Sequence, residues 1–248
     1  MVVAYEAGPA FDPAQKVHPP EGGLPLAWFA AFRDVRHTPV VRRSRRAVDV
    51  HDIERRGGWD WYGRSVDEIR EIIASGSAYQ INLTDRLTGT LDGDPIDLYA
   101  RMAEAQRGRY NALVHMGEHV LVSASPELFF DVRGNTVQSR PMKGTIRRGA
   151  RPDDDAVAAE QLAASLKDRA ENVMITDLLR NDIGRVARIG SVKVPSLLRM
   201  ERYETVWQLT STVTGEIDDS LGLVDLFDAL FPCGSITGAP KVSAMHHI

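Results

Sequence analysis

Residues 127–148 read ELFFDVRGNTVQSRPMKGTIRR, and the fold turns on how this stretch is parsed. Leu128, Phe130 and Val132 alternate with Phe129 and Asp131, the period-two pattern of a strand. Gly134-Asn135 is a turn signal, and Thr136-Val137-Gln138 starts a second strand, so the segment reads as a β-hairpin. It carries Glu127 ahead of its first strand and Lys143 after its second, and the two ends of a regular hairpin return to one edge of a sheet. Gly144 follows Lys143 directly, where a bare backbone can come close to a ligand. A carboxyl, an amine and open backbone at one sheet edge suit acid/base or covalent chemistry.

Working outward toward the carboxyl end, residues 153–183 read as one long helical stretch. Val173, Ile175, Leu178 and Leu179 supply its apolar face, and Gly184 is available as a cap. Asp177, Asn181 and Asp182 read as groups that cap and brace its end. Residues 191–194 read as a short strand, 203–215 as a longer one, and 221–230 as a helix ending at Phe231-Pro232. The run from Gly234 to Lys241, GSITGAPK, invites comparison with a phosphate-binding loop, but Ala239-Pro240 separates Gly238 from Lys241, so that pattern is rejected. Two glycines ahead of a helix can present N–H groups to a carboxylate. The alternative is a structural turn with Pro240 in the first helical turn.

Toward the amino end, the strands expected at 110–116 and 119–123, joined at Gly117-Glu118, would continue into the sheet of the hairpin. Asp94, Pro95 and Gly108 mark the cap, first turn and stop of a helix over 95–107. Residues 78–90 alternate as a strand. Ser65 with Glu68 forms a capping-box pattern that opens a helix stopped by Gly76, with Ile69, Ile72 and Ile73 as its stripe. Arg42 to Arg46 form a basic cluster, read as a solvated loop in preference to a phosphate patch because no aromatic residues interleave with it. Between Met1 and Phe32, two short apolar runs flank a Pro- and Gly-rich loop.

The chain has 248 residues, 43% hydrophobic and 26% charged, which is the composition of an ordinary globular protein with a sizeable core. A formal net charge of −4 carries no basic excess that would suggest a nucleic-acid partner. No apolar run approaches a membrane span and no export signal is visible, so no membrane association and a cytoplasmic location are expected. The single cysteine, Cys233, excludes an internal disulfide.

Four motifs in order, SASPELF (123–129), SRPMKGTIRRG (139–149), ENVMITDLLRNDIGRV (171–186) and GSITGAPK (234–241), resemble the chorismate-utilising enzymes. That family includes the anthranilate, aminodeoxychorismate, isochorismate and salicylate synthases. The resemblance runs from about Tyr79 to the last residue, and Tyr79 to Leu83 is similar to the family's first conserved strand. It implies an α+β fold with two packed antiparallel sheets and outer helices. It also implies a remainder of an amino-terminal region over 1–60 and a chorismate-binding domain over 61–248. In the family that domain continues beyond GSITGAPK with an arginine, a Gly-rich turn, a second metal glutamate and a further lysine.

By the same resemblance, Glu127 is the general acid that protonates the departing C4 hydroxyl. Its pKa should be raised by burial or by a neighbouring carboxylate so that it holds that proton at working pH. Lys143 stands where the aminodeoxychorismate synthases carry P-I-K-G-T and the anthranilate synthases P-I-A-G-T, with Met142 for Ile as the one departure. It is implied to attack C2 of the ring, in its neutral form, as hydroxide leaves C4; ammonia then adds at C4 and expels it. Gly144, Thr145, Gly234, Ser235, Thr237 and Gly238 are implied to bind substrate, and Glu171 to hold Mg2+ against the ring carboxylate. Gln208 stands where anthranilate synthases usually have histidine; its alternative role is that of a hydrogen-bonded strand residue. The implied reaction is amination of chorismate toward para-aminobenzoate and folate, with ammonia from a glutamine amidotransferase subunit. Anthranilate synthase component I, and a catalytically silent remnant of the family, stand as alternatives.

Overall fold

The hairpin read at 128–140 forms as β8 (Leu128–Arg133) and β9 (Thr136–Arg140), turning at Gly134 and Asn135, in a computed structural model that describes residues 1–20, 22–37 and 47–248. The basic cluster at Arg42 to Arg46 lies outside the described residues. The alternation within β8 is not the simple one expected. The register slips by one residue between Leu128 and Asp131, a β-bulge, and both Phe129 and Phe130 pack against the core. Their rings meet Phe227 edge-on at 6.1 and 5.8 Å.

The second departure matters more for the site. The chain does not leave the sheet after β9. It passes through Pro141 into β10 (Met142–Arg147), and both strands lie antiparallel along β12 (Val206–Glu216). Pro141 has no N–H to donate, but its carbonyl accepts from Ser211 N at 3.1 Å, so the ladder runs on across the break. Lys143 is therefore a residue of a strand, not the loose end of a hairpin. β11 (Lys193–Arg202), longer than the short strand expected, flanks β12 and completes a five-stranded antiparallel sheet.

Helices cover this sheet. The helical stretch expected over 153–183 is two helices, α4 (Pro152–Ala164) and α5 (Leu166–Gly184), broken at Ser165, whose hydroxyl caps α5 by accepting from Asp168 N at 3.3 Å. The buried face of α5 is Asn172, Ile175, Thr176, Leu179, Asp182 and Ile183, a helical spacing of three and four. Val173, expected on the apolar face, is 44% exposed instead. Ile175, Leu179 and Ile183 join Val137, Val213, Leu226 and Leu230 in one core; the last two belong to α6 (Leu223–Leu230). Each side chain of this size contributes about 1.5–3 kcal/mol on burial. After α6 come a single helical turn, α7 (Gly234–Thr237), an extended pair, β13 (Gly238–Ala239), and α8 (Lys241–Met245).

Residues Glu127–Met245 form one compact unit; Met1–Pro126 with His246–Ile248 form another. The second of these holds β1 (Val2–Val3) paired with β2 (Ala27–Trp28), the short helix α1 (Gly8–Phe11), and β3 (Asp49–Arg55) paired with β5 (Leu87–Asp92). The strand expected over 78–90 is thus split into β4 (Gln80–Ile81) and β5. α2 (Gly58–Ala74) begins before the expected start, so Ser65 lies inside it and Gly57 stands at the N-cap position. α3 (Pro95–Gln106) matches expectation, with Asp94 accepting from Ile96 N at 2.9 Å. β6 (Tyr110–His115) and β7 (Val120–Ser125) pair as expected but form their own ladder, so the hairpin at 128–140 belongs to a different sheet. All the ladders named here are antiparallel, and the α+β class holds. Among the described residues, no helix is long and apolar enough to cross a membrane.

One latch joins β10 to α4 and yields a pH prediction. Asp155 accepts from Arg148 Nη2 at 2.6 Å, Trp207 Nε1 at 2.9 Å and Gly149 N at 3.1 Å. Arg148 foremost, then Trp207 and Gly149, hold its carboxyl down from 3.8 to about 2. A pKa lower in the folded chain than in the unfolded one means stability that is complete above about pH 4 and lost as pH falls through 2. Urea midpoints measured from pH 5 to pH 2 should fall for the native chain and stay flatter for Asp155→Asn. Parallel curves would rule this latch out as a source of acid sensitivity.

Candidate active site

Glu127 and Lys143 are brought together by two sheet irregularities and one turn. β10 departs from its register with β12 between Met142 and Thr145, so one extra residue is inserted at Lys143-Gly144. Such a bulge re-aims a side chain relative to the pleat. Gly144 takes φ +88°, a conformation that strains any residue with a side chain. A Cβ there would lie 2.8 Å from Asp168 Cβ and 3.3 Å from both Leu162 Cδ1 and Leu209 Cδ1. Glycine is required twice over, by dihedral and by space. The Lys143 carbonyl is held from behind by Asn172 Nδ2 at 3.4 Å, and the same amide donates to Leu209 O at 2.9 Å. Asn172 is fully buried and also receives the Ser211 hydroxyl.

So aimed, Lys143 Nζ donates to Ser235 O at 2.8 Å. Glu127 lies against the same residues. It interacts with the Ser235 hydroxyl, the Lys143 charge and the Met142 N–H, and its Oε1 is shut off from solvent. Burial dominates these three attractions and raises the Glu127 pKa above its ordinary value. The raised value expected of a proton-holding acid is therefore present, and its cause is desolvation, not a second carboxylate. Cys233 opens the turn that carries Ser235; burial foremost, then the Glu127 charge, pushes its thiol up to about 12, leaving it inert.

The remaining candidates are placed as follows. Thr145 is exposed on β10, across the ladder from Gln208. Gln208 Oε1 is buried and has no hydrogen-bond partner among the described residues. Gly234 packs so tightly that a Cβ would lie 2.2 Å from Leu178 Cδ2, which gives this glycine a packing role against α5. Thr237 is fully buried, its hydroxyl donating to Cys233 O at 3.2 Å, and Gly238 follows with φ +154°. Glu171 faces Lys167 at 3.7 Å on the partly exposed side of α5. Among the described residues, no three His, Cys, Asp or Glu side chains converge into a metal site. One carboxylate already opposite a lysine does not make such a site by itself.

Sequence reasoning missed the pair beneath the turn. Asp182 is buried and meets Lys241 at 2.8 Å, in place of bracing an exposed helix end. It missed Asn172 as well. The only local signal for either was a polar residue falling in phase with the apolar stripe of α5.

A buried carboxyl with a raised pKa thus lies beside a bulge-mounted lysine, on an antiparallel sheet backed by helices. The profile of the chorismate binding enzymes matches residues 38–248, and the chain belongs to that family. Aminodeoxychorismate synthase component 1 of Klebsiella aerogenes is 46% identical over 187 residues, covering 75% of this chain and 42% of that protein. The chloroplastic anthranilate synthase alpha subunit 2 of Oryza sativa subsp. japonica is 39% identical over 189 residues, covering 76% of this chain and 31% of that one. Among solved structures, anthranilate synthase component I of Streptococcus pneumoniae superposes with a TM-score of 0.71 at 30% identity, covering 79% of this chain and 43% of that one. The chain thus spans less than half the length of these relatives.

Proposed function

We propose that the Glu127–Lys143 site serves the amination of chorismate at C4, giving 4-amino-4-deoxychorismate, with ammonia delivered by a glutamine amidotransferase partner. The observation that carries this reading is the amine of Lys143, mounted on a glycine bulge and held next to a carboxyl whose pKa burial raises. The neutral amine forms a bond to C2, the ring double bonds shift, and the C4–O bond breaks as Glu127 passes its proton to the departing oxygen, which leaves as water. Ammonia then bonds to C4, the double bonds shift back, and the lysine leaves C2 as a neutral amine. The new C4 ammonium returns a proton to Glu127. Chorismate and ammonia are consumed, and the product and water are formed.

In this reading Gly144, Thr145 and the turn 234–238 contact the substrate, within a chorismate-binding domain over 61–248. Glu171 offers one carboxylate to Mg2+, whose contribution would be Lewis-acid anchoring of the ring carboxylate; its other ligands would be water and substrate oxygens. Each step above is carried by protein groups. The name of the Klebsiella aerogenes relative, which ends in component 1, supports a separate amidotransferase component.

The test is chorismate with excess ammonium and Mg2+, with aminodeoxychorismate as the detected product. Glu127→Gln keeps the shape of the acid without its proton and should lower turnover about 10²–10³-fold. Unchanged turnover in that variant removes Glu127 from the mechanism. Formation of anthranilate and pyruvate in place of the aminated product moves the site to the anthranilate synthase branch.

A further inference from the structure

The two catalytic candidates converge on one residue, Ser235, whose carbonyl accepts from Lys143 Nζ at 2.8 Å and whose hydroxyl meets Glu127. Ser235 itself sits on a single helical turn, too short to hold its own orientation. What fixes this turn lies on its far side. Lys241, the first residue of α8, extends its Nζ to Asp182 at 2.8 Å and to Leu230 O at 3.1 Å. Both side chains are nearly out of solvent, 10% exposed for Lys241 and 6% for Asp182. The ammonium thus ties together three pieces of chain: the last turn of α5, the end of α6 and the start of α8. Residues 231–240, which include Ser235, are the loop between two of these tied points.

At the other end of α5, Asn172 holds the carbonyl of Lys143. The same helix therefore anchors both the strand that carries the amine and the turn that carries its acceptor. Gly234 fits against Leu178 of α5 between these anchors.

We infer that the buried Asp182–Lys241 pair is a positioning device for the active site, holding the 231–240 loop so that Ser235 engages Lys143 and Glu127 together. This deepens the reading of that site given above, without adding a group that touches substrate. The pair lies behind Cys233, whose thiol sits within the fields of Glu127, Asp182 and Lys241. The further charge acting on Asp182 is Arg185, the C-cap of α5, which also donates to Ala229 O at 3.3 Å. A simple packing role would be served as well by apolar residues, which often replace a buried ion pair without loss of stability. A positioning role would not.

The experiment is competitive acetylation with acetic anhydride across pH 6–10, read peptide by peptide by mass spectrometry, with the exposed Lys193 as the internal reference. It needs no chorismate, so its outcome is independent of whether the amination reading stands. In Asp182→Asn the turn shifts, Lys143 loses the Ser235 carbonyl, and its labelling relative to Lys193 at neutral pH rises about tenfold, the weight of one hydrogen bond to a charged group. The change should be confined to Lys143, with the exposed Lys16 and Lys167 labelling as in the native chain, whereas general loosening would not be so confined. Asp182→Leu with Lys241→Met guards against a variant that does not fold, since it leaves no charge unpaired; it should show the same rise, with Cys233 now reacting with Ellman's reagent. A folded double variant with the native Lys143 curve and an unreactive Cys233 overturns the inference.

Discussion

Replacing Lys143 by alanine should abolish amination, with a loss of roughly 10⁴-fold or more, the scale on which removal of an attacking group is felt in a preorganised site. The loss should appear in kcat, because in the proposed mechanism Lys143 forms its bond only as the reaction proceeds. Overall folding should be retained. Lys143 donates to a main-chain carbonyl rather than filling the core, and its own carbonyl remains available to Asn172. A second arm separates the amine from the rest of the side chain. Lys143→Cys treated with 2-bromoethylamine rebuilds an amine at nearly the same reach. Cys233, the only other cysteine, is buried with its thiol pushed up to about 12 and should be spared by the reagent. Recovery of product in the alkylated variant identifies the amine as the working group. Turnover in Lys143→Ala within tenfold of the native chain would remove covalent participation and reduce Lys143 to an anchor.

Gly144→Ala should be among the most destabilising small substitutions in this unit, by about 2–5 kcal/mol. Part of that is the cost of a left-handed residue with a Cβ, about 1–2 kcal/mol. The remainder is overpacking, about 1–3 kcal/mol, because the new methyl would meet Asp168 Cβ at 2.8 Å and the methyls of Leu162 and Leu209 at 3.3 Å. Those neighbours belong to two helices and a central strand, so relief by local movement is restricted. Gly134→Ala supplies the control. It also has positive φ, +55°, at the hairpin tip, but its added Cβ would meet nothing within 4 Å. Urea unfolding of both variants should put Gly144→Ala well below Gly134→Ala. Equal midpoints would mean that the bulge accommodates a side chain and that its glycine is not set by packing.

The parts of this fold that were legible in the sequence are those governed by short-range pattern. The hairpin at 128–140 shows in its period and in Gly134-Asn135, and α3 shows in Asp94-Pro95. A one-residue bulge leaves no such trace. At Phe129-Phe130 and again at Lys143-Gly144, the slip is visible only once a partner strand fixes the register, and both slips decide which way functional or core side chains face. Pro141 reads locally as the end of a strand; it is tolerated because its carbonyl, and not its missing N–H, meets β12. The break at Ser165 was within reach. Ser165 and Asp168 have the spacing of a helix cap, but the surrounding residues are good helix formers and mask it.

For the candidate site, Glu127 and Lys143 were singled out by motif, and their proximity follows from the sheet, although by a different route from the hairpin ends first expected. Asp182 could not be assigned its role from sequence, because its partner Lys241 lies on a distant segment and a carboxylate near a helix end reads as a surface group. The reason it is buried is the phase of α5, which brings it onto the same face as Ile175 and Leu179.

That phase makes α5 a ruler. Asn172 and Asp182 stand on one face about 15 Å apart at the helical rise of about 1.5 Å per residue, each gripping a different segment of chain. Inserting one residue between them would lengthen the helix only slightly but rotate its far end by about 100°, carrying Asp182 away from Lys241 while Asn172 stayed in place. Length between the two anchors is thus quantised, tolerant of change only in steps that restore the angle, whereas the loop over residues 185–192 beyond α5 has no such clock. Variation among descendants of this chain should accumulate outside the interval from Asn172 to Asp182, and gaps within it should come in whole turns.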